Sequence, residues 1–206
     1  MLKLFRYTRS RFPLIHNIKC AFAKWMGRKP KKDLYTKTNK TLDAAYLACT
    51  EAQEFTQVVF CHLNLSVGKL PMVRLGKVWL HLDRYRFVLQ KKAMPFKETL
   101  LQAKKDPQRM RRLIDSFVAL VQDRSALNIR NADPNLGPNF GFLNERAVEI
   151  DFGNYRKAPQ LPEEMGNYLL RLEHWLQQNA PEYVDYLHTK RYDPTKHEET
   201  QTVHRS

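Results

Sequence analysis

The stretch from Pro107 to Gly153 constrains this chain more than any other part of it. Pro107 suits the first turn of a helix, and Met110, Leu113, Ile114, Phe117, Val118 and Val121 recur at helical spacing, which predicts a helix to about Asp123. A short strand at Leu127–Ile129 leads into a loop rich in turn residues. Two short strands around the polar turn Asn144–Ala147 then form a tight hairpin. Asp133 sits in the loop, Asn139 where the loop enters the hairpin, and Asp151 where the hairpin ends, 18 residues beyond Asp133. Such a set suits phosphoryl transfer. One carboxylate takes the proton of an attacking hydroxyl, while an amide oxygen and a second carboxylate hold Mg²⁺ on the phosphates. The plain alternative for Asp133-Pro134-Asn135 is an ordinary Asx turn.

The rest of the chain is read by the same rules. Met1–Tyr7 alternates as a strand would, with Leu2 and Leu4 on one face. Residues 13–27 predict a basic amphipathic helix with Ile15, Ile18, Phe22, Trp25 and Met26 on its apolar stripe. Thr41 is a candidate N-cap for a long helix reaching about Leu63. Residues 78–83 and 84–90 read as strands, and 162–179 and 181–190 as helices. Trp79 and Trp175 are expected in the core. The seven histidines lack metal-ligand spacing, so His62, His81 and His174 are expected to be structural or exposed.

This order of elements resembles the catalytic core of the protein-kinase-like superfamily over most of the chain, closest to compact bacterial members that include lipopolysaccharide-core sugar kinases. Asp133 and Asn139 resemble the catalytic loop, and Asp151-Phe152-Gly153 the metal-binding Asp-Phe-Gly. The resemblance implies an α+β, two-lobed fold, with residues 1–91 a truncated small lobe and 92–206 a reduced helical large lobe. It implies that Lys3 pairs with ATP phosphates and that Glu51, or else Glu54, on helix 41–63 partners Lys3. Strands 78–83 and 84–90 stand for the family's fourth and fifth strands. Gln90, Lys91, Lys92 and Ala93 stand for the hinge whose backbone binds adenine. Asp133 is then the base, and Asn139 and Asp151 ligate Mg²⁺. The departures are specific. Asp133 and Asn139 lie one residue further apart than in the family, and Asn131-Ala132 replace its His-Arg pair. Lys3 is already the third residue, so the two strands and glycine-rich loop that precede this lysine in the family are expected either upstream of Met1 or not at all.

The implied reaction is transfer of the ATP γ-phosphate to a hydroxyl of a sugar, glycolipid or protein. Two rivals stand beside it. One is a catalytically inactive kinase-like module that binds nucleotide or a partner. The other is a basic nucleic-acid-binding protein acting through residues 1–40. Those residues hold 12 Lys and Arg against one acid, Asp33, and so carry +11 of the chain's net +14, interleaved with aromatic residues. No nucleic-acid-binding motif accompanies the charge. The same charge makes residues 13–27 a candidate for an anionic membrane surface, and the acid-free 1–32 imitates a targeting peptide. The expected location is the cytoplasm, with the inner membrane face as the peripheral option. Cys20, Cys49 and Cys61, an odd count without close pairs, are expected to be reduced.

Overall fold

The computed structural model describes residues 1–5, 34–159 and 162–190. The helix expected at 13–27 lies outside them. The protein is α+β, with small antiparallel sheets among its helices. It divides into two compact units, one of Met1–Lys92 with Phe152–Arg156 and one of Ala93–Asp151 with Lys157–Ser206. Among the described residues no helix is long and apolar enough to cross a membrane.

The first unit is built on strands β1 (Leu2–Phe5), β2 (Val58–His62) and β5 (Arg86–Gln90). They form an antiparallel sheet in the order β1-β5-β2, with Lys3 opposite Val88. Helix α1 (Leu34–Thr50) buries Ala44, Ala45 and Ala48, small side chains that allow close packing on β2. A single turn of helix, α2 (Gln53–Thr56), follows, and Gln57 then takes a left-handed conformation (φ 52°) that turns the chain into β2. The helix expected at 41–63 therefore ends early, and its last third is a strand. The β-branched and aromatic run Val58-Val59-Phe60 prefers the pleated sheet surface. Residues 78–83 and 84–90 do not form neighbouring strands either. β4 (Val78–His81) pairs with β3 (Met72–Leu75) in a separate ribbon. A 3₁₀ turn over Leu82–Arg84 then leads into β5. Trp79 is 58% exposed rather than core, because neither face of this ribbon is covered. Cys49 on α1 and Cys61 on β2 are joined in a disulfide, their Cα atoms 6.5 Å apart. This corrects the expectation of three reduced thiols. The two cysteines sit on packed elements that the sequence, read as one continuous helix, could not bring together.

In the second unit β6 (Met94–Pro95), β8 (Phe140–Leu143) and β9 (Arg146–Glu149) form a sheet in the order β6-β8-β9. Helices α3 (Phe96–Ala103) and α4 (Pro107–Ala126) pack on it. Asp106 caps α4 by accepting the Arg109 N–H at 3.0 Å. The expected apolar stripe of α4 is buried. Phe96 stacks on Phe142 at 5.2 Å, and Phe117 meets Phe140 edge-on at 5.1 Å. The β8–β9 turn is the two residues Asn144 and Glu145, both left-handed (φ 50° and 66°). Arg109 and Arg112 each hold the Glu145 carboxylate at 3.0 Å, which ties the turn to α4. A short strand β7 (Ile129–Asn131) and one turn of helix, α5 (Leu136–Asn139), flank the loop between α4 and β8. After β10 (Tyr155–Lys157), helix α6 (Pro162–Asn179) follows as expected. The chain then passes through a 3₁₀ turn, Pro181–Tyr183, into α7 (Val184–His188). Trp175 is buried, as expected.

Candidate active site

The second unit holds the residues singled out from β7 to the segment just after β9. Asn131, at the end of β7, is buried and acts as a clamp. Its Oδ1 accepts the Asp133 N–H at 3.1 Å, and its Nδ2 donates to the Asp151 carbonyl at 3.1 Å. One amide thus fixes the loop before β8 against the segment after β9. Tyr168 of α6 donates its hydroxyl to the Asn131 carbonyl at 3.2 Å and holds the clamp from behind. Asn139, also buried, donates its Nδ2 to the Asp133 carbonyl at 2.8 Å. The Asn139 carbonyl in turn accepts the N–H groups of Ile150 at 2.6 Å and Asp151 at 3.3 Å. Asp133, Asn139 and Asp151 are therefore joined through their backbones and two buried amides, although 18 residues separate the first from the last.

The side chains differ in setting. Asp133 is half-buried, and its Oδ1 accepts the Asn135 N–H at 3.1 Å. This is the Asx turn that the local sequence allows, and it leaves the second carboxylate oxygen for other work. Asp151 is exposed. With Nδ2 of Asn139 committed to Asp133, its amide oxygen is the atom left for a cation. The Asp151 carboxylate and the Asn139 amide oxygen are hard oxygen donors, the type that Mg²⁺ takes. Among the described residues there is no group of three or more His, Cys, Asp and Glu that could hold a metal ion.

In the first unit the Lys3 ammonium lies 4.3 Å from the centroid of the Phe152 ring, within cation–π range. Phe152 is the residue that follows Asp151 in the chain. Glu51 lies in the turn after α1 rather than inside a long helix, and Glu54 lies on α2; both are exposed. At the segment expected to be a hinge, Gln90 donates its N–H to the Met1 carbonyl at 2.9 Å, and Lys91 donates to Gln57 at 3.1 Å. Two of its amide donors are thus used within the unit, and Lys92 and Ala93 follow them in the chain.

Two features were not anticipated. The Asn131 clamp gave one sequence signal, its place two residues before Asp133. The second is an open pocket of about 400 Å³ beside the loop, lined by Asn135 and Leu136 and, from α3 and α6, by Lys97, Arg171, His174 and Trp175. No acidic residue lines it among the described residues. Its cations come from two helices remote in sequence, which no motif links. Comparison with protein-family models, with curated proteins and with solved structures found no match for this chain.

Proposed function

We propose that this chain is a kinase-like phosphotransferase that moves the γ-phosphate of ATP to a hydroxyl. The observation that carries the reading is the linkage of Asp133, Asn139 and Asp151 through Asn131 and the Asn139 amide. It ties a loop aspartate, an amide and a second aspartate in the chain order of the resemblance, with the family's spacing between the two aspartates. Asp133 accepts the proton of the acceptor hydroxyl. The acceptor oxygen bonds to the γ-phosphorus as the bond from that phosphorus to the β–γ bridging oxygen breaks, and ADP leaves. Asn139 and Asp151 would hold Mg²⁺, which offsets charge on the phosphates. Lys3 and Glu51 of the first unit serve as phosphate anchor and its partner, and Lys92 and Ala93 offer backbone groups to adenine. β2, rather than residues 78–83, takes the place of the family's fourth strand beside β5. The cation-lined pocket at Asn135 and Leu136 suits an acceptor that carries negative charge, with Trp175 as an apolar wall for a sugar ring.

Thermal melts and turnover assays test this. ATP with Mg²⁺ at one hundred times its Kd adds about 2.7 kcal/mol of stability. Asp151→Ala abolishes the Mg²⁺-dependent part of that shift. Asp133→Ala keeps it and stops turnover, because its role is proton acceptance. Arg171→Ala raises KM for a charged acceptor more than it lowers kcat. A native chain whose melt ignores ATP and Mg²⁺ overturns the reading.

A further inference from the structure

Adjacent antiparallel strands such as β2 and β5 need only a turn of a few residues between them. Here the whole of Leu63–Tyr85 intervenes, and Met72–His81 within it forms the β3–β4 ribbon, which the sheet does not require. Val78 and Trp79 point to opposite faces of β4, yet they are 59% and 58% exposed, so neither face is covered. Met72 on β3, and Leu65 and Val67 in the loop before it, are exposed as well. A two-stranded ribbon with both faces in water is marginal by itself, and exposed apolar side chains grouped in this way mark a contact surface.

The charge of this excursion selects its partner. From Leu63 to Leu82 there are three basic residues, Lys69, Arg74 and Lys77, and no acid. Arg74 stands across the ribbon from Trp79, and Lys77 lies in the two-residue turn at its tip, where Gly76 supplies the positive φ of 62°. The loop that leads to the ribbon is fixed at its base. Asp83 accepts from the Ser66 hydroxyl and from the Leu70 N–H at 3.2 Å, so the one nearby carboxylate is buried and turned inward. A tryptophan flanked by aliphatic residues and cations, on an exposed ribbon with no acid in it, matches the boundary between anionic headgroups and acyl chains.

We propose that the Met72–His81 ribbon is a docking element that seats on an anionic lipid bilayer. Trp79, Val78 and Met72 enter the interface, while Arg74 and Lys77 meet lipid phosphates. This inference is independent of the phosphotransferase reading, and its test uses no nucleotide.

The full chain is sedimented with vesicles of phosphatidylcholine alone and of phosphatidylcholine with phosphatidylglycerol. Binding is expected only to the second and weakens as salt rises. Each basic residue near an anionic surface contributes about 1 kcal/mol, so Lys77→Ser lowers the partition coefficient about fivefold. The pair Val78→Ser and Trp79→Ser, which leaves the charge unchanged, lowers it further. Brominated lipids quench tryptophan fluorescence in the parent chain, and Trp79→Phe removes most of that quenching. Circular dichroism melts show whether each variant keeps its fold, and Lys77→Ser at the exposed turn serves if the double variant does not. Binding that all three variants leave unchanged overturns the proposal, because it assigns lipid contact to another basic segment. Self-association in solution that Val78→Ser and Trp79→Ser abolish, without lipid binding by the parent chain, also overturns it and makes a second copy the occupant.

Discussion

Arg124 and Glu149 are the most consequential side chains outside the candidate site. Both are 0% exposed, and the guanidinium donates directly to the carboxylate between α4 and β9, with Arg124 also 5.3 Å from the Tyr168 ring. A buried pair of this kind offsets its own desolvation only while both members are present. Glu149→Leu or Arg124→Met is therefore expected to cost about 3–5 kcal/mol in urea denaturation, and the two together markedly less than the sum. Additive losses would mean that the two charges are not coupled. The sequence carried this signal unread, since Arg124 continues the apolar stripe three residues after Val121. Asp83 acts at the same scale. The Ser66 hydroxyl and the backbone N–H groups around Leu70 hold its carboxyl below the ordinary carboxylate range, although burial opposes them. A lowered folded-state value contributes stability that is present above the unfolded value and lost as pH falls through the folded one. Asp83→Asn is thus expected to be less stable than the parent near neutral pH and to converge with it below about pH 4. A stability gap that stays constant across that range would assign the effect to shape rather than charge.

At the scale of elements, the sequence was most legible where periodicity and turn chemistry agreed. The α4 stripe, the β8–β9 hairpin and the α6 helix all lie where the pattern placed them. It was least legible after Thr50. The helix there ends through Gln57 in a left-handed conformation, a position where a stop signal is normally Gly or Asn. With no such residue, the apolar spacing ran on into β2 on paper. Asp133, Asn139 and Asp151 could be singled out because each lies at or just beyond a recognisable strand or turn; Asn131 and the pocket cations could not, because their places arise only from tertiary contact. Gly141 of β8 shows how tightly one element can depend on another. A Cβ there would lie 2.5 Å from the Met94 carbonyl oxygen, 2.8 Å from Ile150 Cδ1 and 2.9 Å from the Ala93 Cβ. Backbone cannot yield to that as a flexible side-chain tip would. Gly141→Ala is expected to cost about 1–3 kcal/mol of stability. In the proposed phosphotransferase it also weakens ATP affinity, by displacing Ala93. An alanine variant with an unchanged denaturation midpoint would show that β6 is not held this closely.

Across the whole molecule, each unit has its own core and its own covalent or ionic fastening. The second unit relies on packed aromatic rings and the Arg124–Glu149 pair. The first packs alanines of α1 beside β2 and adds the Cys49–Cys61 bridge across that contact. Disulfides persist in oxidising compartments and are reduced in the cytosol, so the bridge and the expectation of a cytoplasmic location pull in opposite directions. Because the bridge closes a short loop, its cysteines 12 residues apart in sequence, chain entropy predicts that opening it costs about 3 kcal/mol. Reductant should therefore lower the denaturation midpoint of the parent chain. Cys49→Ser should already sit at the lowered value and ignore reductant, while Cys20→Ser should behave as the parent does. Hydrogen exchange locates the loss: amides of α1 and β2 exchange faster after reduction, and those of α4 and β9 keep their protection. If Cys49→Ser still responds to reductant, another thiol is responsible and the bridge is not what fastens the first unit.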